Sequence, residues 1–311
     1  MPASHRRQQR PRSAARERAT AHHVRLYRLA RVLLHLLYGC FYVGALFPFF
    51  SSQRRFRSIK RWSQQILHML HLKVAVRGTR PTGHIPTLIV CNHVSWLDIW
   101  VLNSVVPVRF VAKSDIRRWP VIGFLVSGAG TIFIERRKRH DTMRTNRTIV
   151  HALTSGEYVA VFPEGTTTDG TEIKPFHASL FQPALGAGAR VVVAALRYVE
   201  RSGNLDLDAS YAADRSLWTS VRLILARRHL HAELIFAAVV DVRGKTRRDI
   251  ARETERAIAD ALGLPHPGRR TETTRDLPGA APTTSAPTGT LYPDRSHSAR
   301  APARALTSAR R

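Results

Sequence analysis

The chain has 311 residues, and its 49 Lys and Arg outnumber its 22 Asp and Glu so strongly that the formal net charge at pH 7 is +27. This excess calls for negatively charged partners, such as nucleic acid, anionic lipid headgroups or acidic substrates, and composition alone does not choose among them. The two cysteines have neither a C-x-x-C nor another metal-ligand spacing, which argues against a disulfide framework and a cysteine metal site.

The two ends of the chain differ in composition from its middle. Residues 1–23 are polar and rich in arginine, which predicts a disordered basic arm, with a mitochondrial-type transit peptide as the weaker interpretation. Residues 265–311 are rich in Pro, Thr, Ala and Arg and predict a disordered tail, because they can bury little apolar surface. One folded domain is expected over residues 62–264.

The most apolar stretch runs from Val32 to Phe50 and carries no formal charge. A membrane span needs roughly 17–25 apolar residues, so this stretch is a borderline candidate. Basic residues flank it on both sides, and a bent or shallow segment with both ends on the cytoplasmic side fits that pattern best. We therefore predict a membrane-associated helical segment over residues 24–61, with a buried core helix as the alternative.

Short apolar strands alternate with helical patterns through the rest of the chain, which predicts a layered α/β sheet. In chain order, the predicted strands are the end of the Ile66–Val76 stretch, Thr87–Cys91, Val108–Ala112, Gly130–Ile134, Tyr158–Phe162, Arg190–Leu196 and Ala232–Val240. The predicted helices are Ile99–Val106, Arg144–Thr154, Ala178–Leu185 and the amphipathic Arg248–Leu262.

The first group of residues with chemical potential is the segment from Asn92 to Asp98 (NHVSWLD), between a predicted strand and a predicted helix. His93 and Asp98 are five residues apart, a spacing that puts them off a common helical face. With His93 in the turn and Asp98 in the first helical turn, the carboxylate can reach one imidazole nitrogen while the other faces a substrate hydroxyl. This pattern predicts His93 as a general base that Asp98 orients.

Two other interpretations of this segment stay open at the level of sequence. Ser95 and Asp98 fit a variant of the helix capping box, in which Asp98 would also suit the helix dipole. Cys91 stands two residues before His93, so a Cys/His nucleophile pair is a further candidate, although a buried strand cysteine is the commoner case.

Two more segments follow predicted strands and contain residues suited to ligand binding. The loop from Phe162 to Gly170 combines a carboxylate, glycines and hydroxyls that suit a glycerol or a phosphate, with a plain Gly-Thr-rich turn as the alternative. The strand that begins at Gly130 delivers Arg136, whose guanidinium can clamp a phosphate. A solvated basic loop is the alternative there, and it suits residues 137–139 better than Arg136.

Four blocks of this chain resemble those of the glycerolipid acyltransferases, and most closely those of the bacterial 1-acylglycerol-3-phosphate acyltransferases. Asn92 to Asp98 resembles the H-x4-D motif, and Lys113 to Arg136 resembles the second block. Phe162 to Gly170 resembles the third block, usually written FPEGT, and Val191 to Tyr198 resembles the fourth. All four occur in the family's order between about residues 55 and 260.

Two positions depart from the family pattern. Val193 stands where the fourth block usually has a proline, and Phe176-His177 stands where the third block is usually followed by Phe-Lys. Both departures bear on contacts with the acyl donor and on the choice of acceptor, and neither touches the H-x4-D motif.

The resemblance implies a fold and a set of roles. The fold is α/β, with a mixed sheet flanked by helices as in glycerol-3-phosphate acyltransferase, preceded by the membrane-associated helical segment. The implied roles are His93 as general base, Asp98 as its partner, and contacts with the acyl acceptor and its phosphate from Arg136, Glu164, Gly165 and Thr166.

The implied reaction moves a fatty acyl group from acyl-CoA or acyl-acyl carrier protein to the sn-2 hydroxyl of 1-acyl-sn-glycerol-3-phosphate, giving phosphatidic acid. The expected partners are the lysophospholipid acceptor, the thioester donor and an anionic membrane, with no nucleic acid, no cofactor and no metal. The expected location is the bacterial inner (cytoplasmic) membrane, with the active site on the cytoplasmic side.

Two alternatives to this function are kept. A lyso-ornithine lipid acyltransferase resembles the same motifs, but its acceptor has no phosphate. A non-enzymatic basic nucleic-acid-binding protein would account for the charge, yet it would leave the apolar run from Val32 to Phe50 and the pairing of His93 with Asp98 unexplained.

Overall fold

The computed structural model describes residues 20–134, 139–212 and 215–266, and it describes residues 139–142 by their backbone alone. A seven-stranded sheet forms the centre of this part of the chain. The strands are β1 (Leu72–Arg77), β2 (Thr87–Cys91), β3 (Arg109–Lys113), β4 (Ile132–Ile134), β5 (Tyr158–Val161), β6 (Arg190–Val199) and β7 (Leu230–Val240). The predicted tail from residue 267 onward, and the predicted arm up to residue 19, lie outside the described residues.

Eight α-helices and three short 3₁₀ turns accompany the strands within the described residues. The helices are α1 (His22–Ala45), α2 (Ser52–Met69), α3 (Asp98–Val105), α4 (Ile122–Gly128), α5 (Arg139–Thr154), α6 (Gln182–Ala187), α7 (Leu217–Ala226) and α8 (Arg247–Leu262). The 3₁₀ turns are Phe47–Phe49, Ser114–Arg118 and Ala178–Phe181.

The sheet is mixed. Its strand order is β1-β7-β6-β2-β5-β3-β4, and the five strands from β6 to β4 run parallel to one another. β7 runs antiparallel to β6, and β1 runs parallel to β7. The prediction of a mixed sheet flanked by helices is therefore confirmed.

The core lies on both faces of the central strand β2. Leu88 and Val90 pack into one cluster with α5, α6 and α8, while Ile89 and Cys91 pack into the other with α2, α3 and α7. All five residues of β2 are buried, which is the pattern of a parallel strand covered on both sides. This rigid strand fixes the position of the residues that follow it.

The apolar segment forms a helical hairpin rather than one bent helix. α1 ends at Ala45, the turn at Phe47–Phe49 contains a proline, and Ser51 caps α2 by accepting a hydrogen bond from the N–H of Arg54. The two helices run antiparallel, since His35 of α1 stacks on Trp62 of α2 with ring centroids 5.3 Å apart. α2 continues past residue 61, because its last turns pack into the core.

The outer face of α1 is apolar and exposed. Leu34 is 66% exposed and Phe41 67% exposed, so the alternative of a buried core helix does not hold. α1 is the one helix within the described residues that is long and apolar enough to cross a membrane. The N-terminal helical segment is thus present, and its exposed face has the composition of a surface that contacts lipid.

Candidate active site

The candidate site lies where two neighbouring parallel strands end. β2 is followed at once by Asn92 and His93, and the adjacent β5 is followed by the loop that contains Glu164. The carboxyl ends of parallel strands meet at one edge of a sheet, so these segments lie together although 71 residues separate His93 from Glu164.

Asn92 fixes the point at which the chain leaves β2. Its buried side chain bonds twice to Leu196 on β6: Nδ2 donates to the carbonyl at 2.9 Å, and Oδ1 accepts from the N–H at 2.8 Å. The amide takes the place of a backbone partner, so the polar groups of Leu196 stay satisfied where β2 ends. His93 therefore starts from a rigid position.

His93 and Asp98 form a hydrogen-bonded pair. Nδ1 of His93 lies 2.7 Å from Oδ2 of Asp98. When the imidazole is neutral, this bond places its proton on Nδ1 and leaves Nε2 unprotonated, which is the form that can accept a proton from a hydroxyl. The His93 side chain is partly exposed and lines a cavity, whereas Asp98 is fully buried behind it.

Asp98 also organises the turn between β2 and α3. Its Oδ2 accepts from the backbone N–H groups of Val94 (2.7 Å) and Ser95 (2.9 Å) as well as from His93. The bond from the N–H of Ser95 to Asp98 is one half of the predicted capping box, and it coexists with the pairing of Asp98 with His93. Ser95 is not the cap, because its buried hydroxyl has no hydrogen-bond partner among the described residues.

A cavity of about 260 Å³ opens beside His93. The imidazole stacks on the ring of Phe162, with centroids 4.1 Å apart and planes 11° from parallel. This stacking fixes the imidazole plane between Asp98 and the cavity. The cavity walls include Ile99, Phe110, Lys113, Gly165, Thr166 and Thr167.

The loop after β5 brings two of the predicted contact residues to this cavity. Gly165 and Thr166 line it, and Gly165 has φ +69°, a left-handed conformation that glycine adopts without strain. The loop is tied to the histidine turn, since the N–H of Thr168 donates to the carbonyl of His93 at 2.9 Å. The same loop is tied to the chain after β6, because the hydroxyl of Thr167 donates to the carbonyl of Tyr211.

Glu164 lies beneath the loop. One carboxylate oxygen accepts from the N–H of His93 at 2.7 Å, and the other accepts from the N–H of Lys174 at 3.1 Å. Burial raises the pKa of Glu164 to about 7, because desolvation of the charge outweighs these two hydrogen bonds. In this structure Glu164 holds the backbone of His93 in place.

The stability contribution of Glu164 is expected to depend on pH. With a pKa near 4.5 when unfolded and about 7 when folded, its carboxyl binds a proton more tightly in the native state. Stability should therefore fall, by up to about 3 kcal/mol, as the pH rises through that interval. In melting curves of full-length protein between pH 5 and 7.5, the free energy of unfolding of wild type should fall relative to that of Glu164→Gln, whose side chain does not titrate. A rise relative to Glu164→Gln would show that the two hydrogen bonds outweigh burial.

Two further residues were predicted to take part in binding or catalysis: Arg136 as a phosphate ligand and Cys91 as an alternative nucleophile. Arg136 lies outside the described residues, although Ile134, which ends β4, lines the cavity. Cys91 is fully buried, and burial raises the pKa of its thiol well above the usual value. A thiol that stays protonated and points into the core is no nucleophile, so the Cys/His interpretation does not hold.

Two residues that complete the site were not singled out as site residues from the sequence. Asn92 bonds to a residue 104 positions away, and Tyr198 donates its hydroxyl to Oδ1 of Asp98 at 2.7 Å across 100 positions. No local spacing signals such contacts. Their only trace in the sequence is that both lie within the recognised blocks.

Comparisons with known proteins point to one family. A family model described as Acyltransferase matches residues 73–197. A 1-acyl-sn-glycerol-3-phosphate acyltransferase of Neisseria meningitidis serogroup B is 37% identical over 189 residues, 61% of this chain and 74% of that protein. A lyso-ornithine lipid O-acyltransferase of Pseudomonas aeruginosa is 35% identical over 210 residues, 67% of this chain and 79% of that protein.

A solved structure shares the fold. The crystal structure of the 1-acyl-sn-glycerophosphate acyltransferase of Thermotoga maritima superposes with a TM-score of 0.58 at 19% identity, covering 77% of this chain and 93% of that one. This likeness confirms the predicted fold class. The chain therefore belongs to the acyltransferase family, and within it to the type that includes lysophosphatidic acid and lyso-ornithine lipid acyltransferases.

Proposed function

We propose that this protein transfers a fatty acyl group from acyl-CoA or acyl-acyl carrier protein to the sn-2 hydroxyl of 1-acyl-sn-glycerol-3-phosphate, giving phosphatidic acid. The observation that carries the proposal is the His93–Asp98 pair at the edge of the cavity. Nε2 of His93 takes the proton of the acceptor hydroxyl as its oxygen attacks the thioester carbonyl. The C–S bond then breaks, and the protonated imidazole returns the proton to the leaving thiolate.

An apolar cavity next to the site is proposed to bind the acyl chain of the donor. A second, narrow cavity of about 60 Å³ lies between the helical hairpin and the sheet domain, and its walls are mainly apolar. Ile99 and Phe110 line both this cavity and the one beside His93, so the two spaces adjoin. An acyl chain in the apolar cavity would leave its thioester carbonyl near His93, and burial of each methylene would contribute about 0.8 kcal/mol.

The acceptor and the donor are both anionic, and the remaining site residues suit them. Thr166 lines the cavity and is proposed to offer its hydroxyl and N–H to the glycerol portion, and Lys113 supplies a positive charge at the cavity wall. The N–H of Gly165 donates to the carbonyl of Phe162 at 3.1 Å, so Gly165 is proposed to shape the loop against the acceptor. Arg136 follows β4 and is proposed to bind the phosphate with two parallel hydrogen bonds. Glu164 is proposed to act on the acceptor indirectly, through the backbone of His93.

We propose that α1 lies along the membrane surface instead of crossing it. Near its start, Arg28 donates to the carbonyl of Arg227 at 2.6 Å, and near its end Gly44 packs against Phe124 of α4. A helix of this length extends about 36 Å, so a crossing orientation would draw α4 or α7 into the bilayer. The proposed location is the cytoplasmic face of a bacterial inner membrane, with exposed Arg54, Arg57 and Arg61 near anionic headgroups.

The exposed face of α1 supplies a direct test of membrane docking. Replacing Leu34 and Phe41 together with glutamine should weaken partition into phosphatidylglycerol-containing vesicles by roughly 2–4 kcal/mol, about thirty- to a thousandfold. The matched control replaces Ile85 and Val239 with glutamine. These residues are 54% and 63% exposed and lie near the starts of β2 and β6, at the end of the sheet opposite the site. Equal vesicle binding by both double variants would remove α1 from the membrane contact.

The acceptor is tested with a panel of lyso-lipids. Purified full-length protein should acylate lysophosphatidic acid with the higher kcat/KM, and Arg136→Ala should raise its KM and spare kcat. Loss of a charge-assisted phosphate contact costs roughly 1.5–3 kcal/mol, about ten- to a hundredfold in kcat/KM. Arg136→Lys should recover only part, because lysine keeps the charge and loses the planar fork.

Lyso-ornithine lipid is the second candidate acceptor. The 35% identity to the Pseudomonas aeruginosa protein, over 79% of its length, favours keeping it in the panel. A higher kcat/KM for lyso-ornithine lipid than for lysophosphatidic acid, with no effect of Arg136→Ala, would replace the first acceptor by the second. No acylation of either lipid from either donor would overturn the proposed function.

A further inference from the structure

A buried tyrosine on β6 is bonded to the carboxylate that orients His93. Tyr198 is 2% exposed, and its hydroxyl donates to Oδ1 of Asp98 at 2.7 Å. The described residues that line the cavity beside His93 do not include Tyr198. The hydroxyl therefore does not meet the cavity, and its hydrogen bond to Asp98 is what connects it to the site.

The two oxygens of Asp98 have different surroundings. Oδ2 accepts from three donors: Nδ1 of His93 and the N–H groups of Val94 and Ser95. Among the described residues, Oδ1 accepts from Tyr198 alone, and the carboxylate is fully buried. Loss of the tyrosine hydroxyl would thus leave a buried carboxylate oxygen without a partner, which is costly in a low-dielectric interior.

We propose that Tyr198 is a positioning residue for acyl transfer, an inference that rests on the proposed roles of His93 and Asp98. Its hydrogen bond holds the carboxylate so that Oδ2 meets Nδ1 of His93, and it draws negative charge toward Oδ1. The imidazole is thereby kept with its proton on Nδ1, so that Nε2 is free to accept the proton of the acceptor hydroxyl.

The chemistry of the phenol fits this role. Burial, together with the negative charge of Asp98, raises the pKa of Tyr198 well above its usual value. The hydroxyl therefore stays protonated at every pH at which the enzyme would work, and it acts as a hydrogen-bond donor and not as an acid or a base.

The primary experiment compares Tyr198→Phe with Tyr158→Phe in full-length protein. The control variant loses the same hydroxyl and an equally short hydrogen bond, which Tyr158 donates to the carbonyl of Gly83 at 2.7 Å. Tyr158 begins β5, at the end of the parallel strands that lies opposite the site. Tyr198→Phe should lower kcat roughly ten- to a hundredfold, with KM little changed. Tyr158→Phe should match wild type in kcat and KM.

A double-mutant cycle separates action through Asp98 from general damage to the core. In an Asp98→Asn background, Tyr198→Phe should lower kcat by only about twofold or less, because the carboxylate it serves is already gone. A folded Tyr198→Phe protein with wild-type kcat would overturn the inference. Losses that add fully in the double mutant would overturn it as well.

A spectroscopic measurement covers the case in which Tyr198→Phe does not fold. The chain has seven tyrosines, so ring-carbon labelling at the ζ position gives few resonances. One of them should be insensitive to pH and shift between wild type and Asp98→Asn. If none shifts, the inference fails. Failure of the proposed function is recognised separately, since wild-type protein would then acylate neither lipid, and failure of the His93 mechanism would leave His93→Ala active whatever Tyr198 does.

Discussion

Replacing His93 with alanine is expected to lower kcat for acyl transfer by at least about a hundredfold while leaving the fold and vesicle binding intact. His93 is the one described residue that joins the buried carboxylate to the cavity, through Nδ1 on one side of its ring. Its side chain is partly exposed, and its backbone is held by Glu164 and Thr168, so alanine leaves the loop contacts in place. Steady-state rates with a radiolabelled acyl donor measure the effect.

The matched control is His151→Ala. His151 is exposed in the last turn of α5, just before β5 begins, whereas His93 lies at the other end of the parallel strands. This variant should keep the wild-type rate. If folded His93→Ala, checked by circular dichroism and vesicle binding, turned over at the wild-type rate, the proposed base would be wrong.

Replacing Asp98 with asparagine should have the next largest effect, a fall in kcat of about 10²- to 10⁴-fold. Asparagine is close in shape, and its carbonyl oxygen can accept the three hydrogen bonds that reach Oδ2, while its NH₂ can donate to the hydroxyl of Tyr198. The protein should therefore fold. The negative charge that stabilises protonated His93 is lost, and loss of that charge is severe in the related serine-protease arrangement.

The KM values distinguish this effect from a loss of substrate binding. Asp98 is fully buried and does not line the cavity, so KM for both substrates should change little. The thermal midpoint of Asp98→Asn should stay near that of wild type. A normal kcat with a raised KM would assign Asp98 to binding, which contradicts the orienting role.

The sequence predicted the parts of the fold that depend on local pattern. β2 occupies the predicted residues Thr87–Cys91, because a short, wholly apolar run can be buried only between two covered faces. The helices α4 and α7 were missed. α4 follows the strained left-handed residue Val121, and α7 depends on a cap from Ser216 that a single sequence does not highlight.

The candidate site was predictable where its chemistry is local. His93 and Asp98 are five residues apart, and the turn that joins them is short enough to be inferred. The substrate contact expected of Glu164 stays a prediction, and the hydrogen bonds that its two oxygens accept from backbone N–H groups have a geometry that only the folded loop defines. Gly123 is similar: a Cβ there would lie 2.2 Å from the carbonyl oxygen of Arg117, a contact that no spacing reveals.

Thiol release with and without acceptor tests the central claim most directly. In the proposed mechanism His93 activates the hydroxyl of the acceptor, and no acyl group is passed to the protein. Full-length enzyme mixed with acyl-CoA or acyl-acyl carrier protein alone should release no stoichiometric burst of thiol. Addition of lysophosphatidic acid should start release that equals phosphatidic acid formed. A burst equal to the enzyme concentration without acceptor, together with an acylated protein in the mass spectrum, would contradict the account.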